Sequence, residues 1–265
     1  MKLLIDLDSL LYKSVYKVVD EFTARQKRYV LNPREYKMWY NSEVYNEGIN
    51  RCENSLLEIQ NHLQEFYPFV EFEPVLYITN CKNNFRNKIN KEYKSNRKRN
   101  NYVWMLRNHY QINGAICSDT LEADDLIAID AKKLKKEYYI IVTMDKDLKQ
   151  IGGWYWNYYK KHDKDLLGNK IFDEYGNNVY IYKQKEPIFI TEKEANKFFW
   201  EQMLTGDTSD NIKGIKGIGK VKAEKLLNSS INQFITVAKE YIKRNQKQEF
   251  KNNYKLLKLG QNEIS

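Results

Sequence analysis

Residues 119–148 read DTLEADDLIAIDAKKLKKEYYIIVTMDKDL. The apolar run Tyr138 to Thr143 has the composition of a buried strand. Five carboxylates stand around it in two groups, Glu122, Asp124 and Asp125 before it and Asp145 and Asp147 after it. Acids repel one another, so a fold gains nothing by gathering them at one end of a sheet unless something positive joins them. The same arrangement recurs nearer the N-terminus. Leu3 to Ile5 and Val75 to Ile78 are short apolar runs, followed by Asp6 and Asp8 in one case and by Asn80 in the other. Continuous apolar runs separated by helical stretches predict an α/β fold with a mostly parallel sheet covered on both faces. In such sheets ligands bind beyond the carboxyl ends of the strands, which is where these acids fall.

The helical stretches are legible from their spacing. Asn46 to Phe66 carries Ile49, Leu56, Ile59 and Leu63, and Asp119 to Glu137 carries Ala123, Leu126, Ile127 and Leu134. Asp119 is expected to cap the second of these, with Glu122 as its partner three residues on. Residues 154–190 alternate and contain Gly-Asn turn signals, which predicts short strands or a hairpin. Beyond Thr191, which forms a capping box with Glu194, the pattern is helical. Residues 23–45 are not assigned, and the chain shows no internal repeat.

Composition narrows the partners. The 265 residues are 42% hydrophobic, enough for one large core or a core with a small annex. A formal net charge of +9 favours a polyanionic partner. The 3 cysteines, Cys52, Cys81 and Cys117, form no CxxC pair, which argues against a disulfide frame or a thiolate zinc site. Asp6 and Asp8 interrupt the apolar N-terminus, so it does not read as a signal peptide. A soluble protein of the cytoplasm is expected, the host cytoplasm for a bacteriophage product.

Each carboxylate has an ordinary structural reading. Acids in a first helical turn suit the helix dipole, and aspartates form turns. Those readings do not account for Asp6, Asp8, Glu122, Asp124, Asp125, Asp145, Asp147, Asp207 and Asp210 together in a basic chain. Hard divalent cations do. Carboxylate oxygens suit Mg²⁺ or Mn²⁺, and two such ions about 4 Å apart can promote phosphodiester hydrolysis.

Five segments in order resemble the 5′-nucleases: flap endonucleases, bacteriophage 5′→3′ exonucleases and the nuclease domain of bacterial repair DNA polymerases. The segments are LLIDLDSLLYK, FRNKINKEYKSNR, LEADDLIA, VTMDKDLKQ and LTGDTSDNIKGIKGIGKVKAEKLL. The resemblance implies a PIN-like nuclease domain over residues 1–190, with a helical arch near 82–110. It also implies a helix–three-turn–helix module with a basic helical tail over 191–265. Carried over by motif, the acids other than Asp8 hold or position two metal ions. One departure stands out: the family has an aspartate seven residues before the arginine of its FR motif, where this chain has Thr79. Asp8, facing the same side as Asp6, is the expected substitute.

Residues 82–99 carry Lys82, Arg86, Lys88, Lys91, Lys94, Arg97, Lys98 and Arg99 against the single acid Glu92. Interleaved Phe85 and Tyr93 suit a nucleic acid, because bases stack on rings while cations hold phosphates. By the resemblance, Arg86, Tyr93, Lys94 and Arg97 are catalytic. Lys94 steadies the scissile phosphate and Tyr93 stacks on a terminal or flanking base. Further on, Lys213, Gly214, Lys216, Gly217, Gly219, Lys220 and Lys222 are expected to clamp duplex DNA through its backbone. The resemblance adds a K⁺ ion held by carbonyls of that loop.

The sequence therefore points to a monomeric structure-selective 5′-nuclease. It would act on branched, flapped or 5′-ended DNA and on RNA–DNA hybrids, removing primers beside other replication proteins. Two alternatives stand against it: a non-catalytic DNA-binding protein with a degenerate metal site, for which Thr79 would be the first sign, and a PIN-type RNase, which the glycine-rich clamp disfavours.

Overall fold

A computed structural model describes residues 1–26, 33–97 and 100–261, and the side chains of all of these except 17–26 and 33–41. Lys98 and Arg99, and residues 27–32 of the unassigned stretch, lie outside the described residues.

The run that opened the sequence is a strand at the centre of the sheet. In chain order the first strands are β1 (Lys2–Asp6), β2 (Glu73–Tyr77), β3 (Tyr139–Val142) and β4 (Gly153–Trp156). Then come β5 (Lys160–His162), β6 (Tyr180–Tyr182) and β7 (Ile188–Ile190). The main sheet runs β2-β1-β3-β4-β7, parallel throughout except for the antiparallel edge strand β7. Ile5 pairs with Val142 and Asp6 with Tyr77, so Asp6, Thr79 and Asp145 all leave the sheet at the same end.

Helices α1 (Leu7–Gln26), α2 (Pro33–Phe66) and α4 (Asn101–Ile112) cover one face, and α5 (Ala123–Lys133) covers the other; the short α3 (Phe85–Ile89) lies between. The alternation of strand side chains decides which residues go where. Leu3, Ile5, Ile140, Val142 and Trp156 pack with Leu10, Val15, Leu63, Val103 and Leu106. Leu4, Tyr77, Tyr139, Ile141 and Tyr155 pack with Ala123, Ile127 and Ala131. Both faces are buried, which is why β1 and β3 read as unbroken apolar runs.

The helix expected from Asp119 begins four residues later. Glu122 is the N-cap of α5, and Asp125 accepts from its backbone N–H at 3.4 Å. Asp119 instead accepts from the Lys82 amide and the Asn83 side chain, pinning the chain before α3. The expected arch near 82–110 needs a second correction. Leu106 and Val103 on α4 are buried in the main core, so residues 101–112 form a packed body helix. The long helical pair is instead α1 with α2; at 1.5 Å per residue, α2 is about 50 Å long. Residues 23–26 and 33–45, which the sequence left unassigned, belong to this pair.

A repeat also emerges that the sequence pattern did not disclose. Asp165 and Asp173 each accept from the amides two and four residues on and from the side chain of an asparagine, Asn169 or Asn177. The two turns, DLLGN and DEYGN, are spaced eight residues apart beside the β5–β6 ladder.

After Thr191, whose box with Glu194 forms as expected, come α6 (Glu192–Thr205), the two-residue strands β8 (Gly206–Asp207) and β9 (Ile212–Lys213), α7 (Lys220–Asn228), α8 (Gln233–Ile242) and α9 (Lys247–Leu257). Phe199, Met203, Ile215, Leu227, Tyr241 and Leu256 form their common core, which Tyr93 enters from the other part of the chain. Gly214 belongs to this packing. A Cβ there would lie 2.2 Å from the Thr205 carbonyl carbon and 2.4 Å from the Gly206 nitrogen. Its glycine is needed for the close approach of two backbones. Gly214→Ala is accordingly expected to lower stability by about 3 kcal/mol or more, read as a fall in the urea midpoint; an unchanged midpoint would refute that reading.

Candidate metal and nucleic-acid site

Asp6 closes β1 with 3% of its surface exposed. It accepts from Thr143 Oγ1 at 2.8 Å, Ser9 Oγ at 3.2 Å and the Asp8 amide at 3.1 Å. Burial, then the charges of Asp8 and Asp145, push its pKa up to about 7. Asp124, on the first turn of α5, is raised well above the usual carboxylate range, by burial first and by Asp145, Glu122 and Asp6 besides, against the pull of Lys94. Asp145 caps the short turn 146–150, accepting from the Asp147 amide at 2.8 Å. These groups are in each other's electric field.

Glu122 is held differently. It receives Lys94 Nζ at 2.8 Å, Tyr93 OH at 2.9 Å and Asn84 Nδ2 at 2.9 Å. Burial raises its pKa, but Lys94 and Arg86 outweigh that and bring it below the ordinary value. Lys94 is delivered to this position by a left-handed backbone, φ +53°, which costs a non-glycine residue on the order of 1–2 kcal/mol. Its amide donates to the Asp210 carbonyl at 3.2 Å. Strain of this kind persists only where the surroundings enforce it.

Asp6, Asp8, Glu122, Asp124 and Asp145 line one cavity of about 500 Å³ together with Lys94, Arg97, Tyr93 and Arg107. Three separate segments of sequence supply these five acids. Asp147, Asp207 and Asp210 form an adjoining tier. Lys146 lies 3.4 Å from both Asp147 and Asp207, Gln202 donates to Asp147 at 2.8 Å, and Asp210 pairs with Arg97 and, at 3.7 Å, with Lys94. Burial, then Asp145, push Asp147 up to about 7. Asp207 stays low in spite of burial because Ser209 and Lys146 hold its charged form.

Three expected roles change. Asp125 is fully buried and its two oxygens face Arg86 at 2.5 and 2.9 Å, with the Gly260 amide at 3.1 Å. It has no face left for a metal. Arg86, 1% exposed, also donates to the Leu256 carbonyl at 2.8 Å and so ties α3 and α5 to α9. It is a structural cation, not a phosphate ligand. Tyr93 is 6% exposed with its ring in the C-terminal core, so it offers no face to a base; its hydroxyl bridges Glu122 and Asp210 at 2.9 and 3.1 Å.

The position where the resemblance calls for an aspartate is occupied by Thr79. Thr79 accepts from the Ala123 amide at 3.0 Å, serving the start of α5. Asn80 turns to Asn108 and Gln111 on α4. Asp8 occupies the space, accepting from the Thr79 amide at 3.2 and 3.3 Å and from Arg107 at 2.8 Å, and it lines the cavity with Asp6.

Among the described residues, no three carboxylates close on a common point as a finished metal cage. Lys94, Arg97, Arg107 and Lys146 are paired with them instead. The donor set nonetheless fits hard divalent cations. It is all carboxylate oxygen, it is sheltered, and Asp6 and Asp124 carry a charge penalty that a dication beside them would remove.

Arg107, Tyr12, Ser9 and Gln202 were missed in the sequence. Arg107 left a trace, since it sits four residues after Val103 and one after Leu106 on the inward stripe of α4, where an arginine requires an acid. Elsewhere, Lys82, Lys91, Lys213, Lys216, Lys220 and Lys222 are exposed. Gly217 has φ +81° and Gly219 caps α7 without a side chain, with open space around both.

The fold is α/β, with a mostly parallel central sheet between helices, and it has counterparts among solved structures. The structure superposes on a bacteriophage T5 protein co-crystallised with metal ions at a TM-score of 0.51, with 14% identity, covering 98% of this chain and 90% of that one. It matches a bacteriophage T5 flap endonuclease in complex with DNA and metal ions at 0.50, with 14% identity over 97% and 89% of the two chains. No family model matches. In sequence the chain is 34% identical over 187 residues to a 5′-3′ exonuclease of Buchnera aphidicola subsp. Schizaphis graminum, 67% of this chain and 59% of that protein. It is 42% identical over 109 residues to a 5′-3′ exonuclease of Mycoplasmopsis pulmonis, 41% and 32% of the two chains, and 29% identical over 192 residues to the flap endonuclease Xni of Colwellia psychrerythraea, 68% and 58%. The chain thus spans between a third and three fifths of the length of these relatives. It is a homologue of proteins named 5′-3′ exonuclease and flap endonuclease.

Proposed function

We propose that the protein is a divalent-metal-dependent 5′-nuclease that hydrolyses phosphodiesters in flapped, branched or 5′-ended DNA. One observation carries this reading: acids from three distant segments meet three cations, Lys94, Arg97 and Arg107, in one cavity at the carboxyl end of the sheet. The homologues and the DNA complex of the structural neighbour support it.

Asp6, Asp8, Glu122, Asp124 and Asp145 would hold Mg²⁺ or Mn²⁺, with Asp147, Asp207 and Asp210 in the adjoining tier. Bound there, two such ions would activate a water and neutralise the leaving oxygen. The protein's own groups do the rest. Thr143 and Ser9 fix the oxygens of Asp6, and Gln202 fixes Asp147. Lys94 and Arg97, now on Glu122 and Asp210, are placed to turn to a phosphate once those acids are neutralised. Tyr12, 42% exposed on the cavity wall, takes the stacking role withdrawn from Tyr93. The free amides of α7 with Lys216, Lys220 and Lys222 would hold a duplex by its phosphates, and carbonyls of the 213–219 loop are candidates for a K⁺ ion. Removal of RNA primers beside replication proteins is the role this chemistry would serve. No helix among the described residues is long and apolar enough to cross a membrane.

The rival is a DNA-binding protein without catalysis. Incubation with a 5′-flap substrate and Mn²⁺ separates them: cleavage by the wild type and its loss in Asp145→Asn support the nuclease, and tight binding without cleavage supports the rival. Asp8→Asn tests the substitute ligand. The metal concentration for half-maximal rate is expected to rise at least about tenfold; an unchanged value would remove Asp8 from the metal site.

A further inference from the structure

The metal-site cavity does not end at the acids. Ser9 and Tyr12 on its wall also line a second cavity of about 740 Å³ between α1 and α2, which runs past Tyr16, Asn54 and Ser55. Lys13 is then shared with a third, of about 840 Å³, formed against the β5–β6 ladder by Tyr159, Lys160, Lys161, Lys164 and Tyr180. Residues of α1 join them: Ser9 and Tyr12 the first to the second, and Lys13 the second to the third.

The lining changes character along the way. The first cavity is acidic, whereas the third has Lys13, Lys160, Lys161 and Lys164 against Asp163 alone. Lys160 is engaged by Glu58 at 2.8 Å and lies over the Tyr182 ring. Lys161 and Lys164 are exposed. Beside these cations Tyr159 is 51% exposed and Tyr180, its ring resting on His162 at 4.5 Å, is 41% exposed, while Tyr16 in the second cavity is 70% exposed. Cations spaced with rings match a chain of phosphates carrying uncovered bases, because a duplex presents phosphates but hides the faces of its bases. The surface is also braced: β5 pairs with β6, and the two Asp-Asn turns fix the chain between them.

We propose that this track is a binding site for an unpaired nucleic-acid strand. The strand would leave the cleavage cavity past Tyr12, cross α1 at Lys13 with Tyr16 beside it, and be held at the β5–β6 ladder by Lys161 and Lys164 with stacking on Tyr159. The assignment rests on the nuclease reading for its direction, since the strand continues from the scissile phosphate. Its chemistry is independent of any cut.

The test uses the full chain in a metal-free chelating buffer, with fluorescence anisotropy on a labelled single strand and on a blunt duplex. Lys161→Glu with Lys164→Glu lies outside the cleavage cavity, on the β5 side of the hairpin. It is expected to weaken single-strand binding at least about tenfold and to reduce the salt slope by about 1.4, some 0.7 for each phosphate no longer neutralised. Tyr159→Ala is expected to weaken it about fivefold or more with the slope unchanged. Unchanged affinity and slope overturn the proposal. So does a loss that is equal for the duplex, or full displacement of the strand by polyglutamate, which would give the groove to an acidic protein. With Mn²⁺, the double variant should cut a nicked duplex at the wild-type rate and a long-flap substrate more slowly. A wild type that cuts neither sinks the nuclease reading and leaves the metal-free result to decide the track by itself.

Discussion

Asp124→Asn is expected to abolish cleavage and leave the metal-free protein at least as stable as the wild type. The two effects share one cause. Asp124 is raised well above the usual carboxylate range by burial and by Asp145, Glu122 and Asp6, so ionising it in the folded metal-free protein carries an electrostatic penalty. Asparagine keeps the shape and removes the charge, which relieves the penalty in the folded state. Activity loses a charged oxygen ligand worth several kcal/mol, hence at least about 10³-fold in rate. Single-turnover cleavage and thermal melting in chelator measure the two sides. A variant that cuts about as fast as the wild type contradicts the assignment. A large fall in melting temperature would show that Asp124 is a structural residue after all.

Arg86→Ala is expected to behave in the opposite manner. Arg86 and Asp125 are both buried and pair through two hydrogen bonds, and Arg86 reaches the Leu256 carbonyl on α9. Removing one partner strands the other's charge in the interior, which costs about 3–5 kcal/mol. At about 2–4 °C per kcal/mol for a chain of this size, melting should fall by roughly 10 °C. Arg86→Ala combined with Asp125→Ala should cost less than the single change, because no charge is left unpaired. A stable Arg86→Ala protein that fails only in catalysis would restore the phosphate-binding role that its FR motif suggested.

The same pair shows what the sequence can and cannot carry. Strands β1 and β3 and the capping box at Thr191 were legible because burial on both faces leaves a continuous apolar run and a cap needs particular residues three apart. The clustering of Asp6, Asp8, Glu122, Asp124 and Asp145 was legible because parallel strands deliver their carboxyl ends to one edge. Asp125 was not separable from Asp124, since adjacent acids on a first turn point in different directions and only tertiary packing decides which meets Arg86. Tyr93 and Arg86 lie in a basic stretch that reads as surface, yet the C-terminal helices, more than a hundred residues away, cover both. Gly214 sits among lysines that suit DNA, and the backbone of Thr205 that demands a glycine there is invisible at that spacing. The role proposed for Asp8 was readable only from a departure: Thr79 stands where an acid was expected, and Asp8 accepts from the Thr79 amide at the same edge.

Divalent cations must gather these acids beside a phosphodiester if the protein is a nuclease, and anomalous diffraction from crystals soaked in Mn²⁺ tests that most directly. Two peaks are expected, about 4 Å apart, within the cavity lined by Asp6, Asp8, Glu122, Asp124 and Asp145, with Lys94 displaced from Glu122. A cavity that stays free of manganese at saturating concentration, with its acids still paired to Lys94 and Arg107, would contradict it.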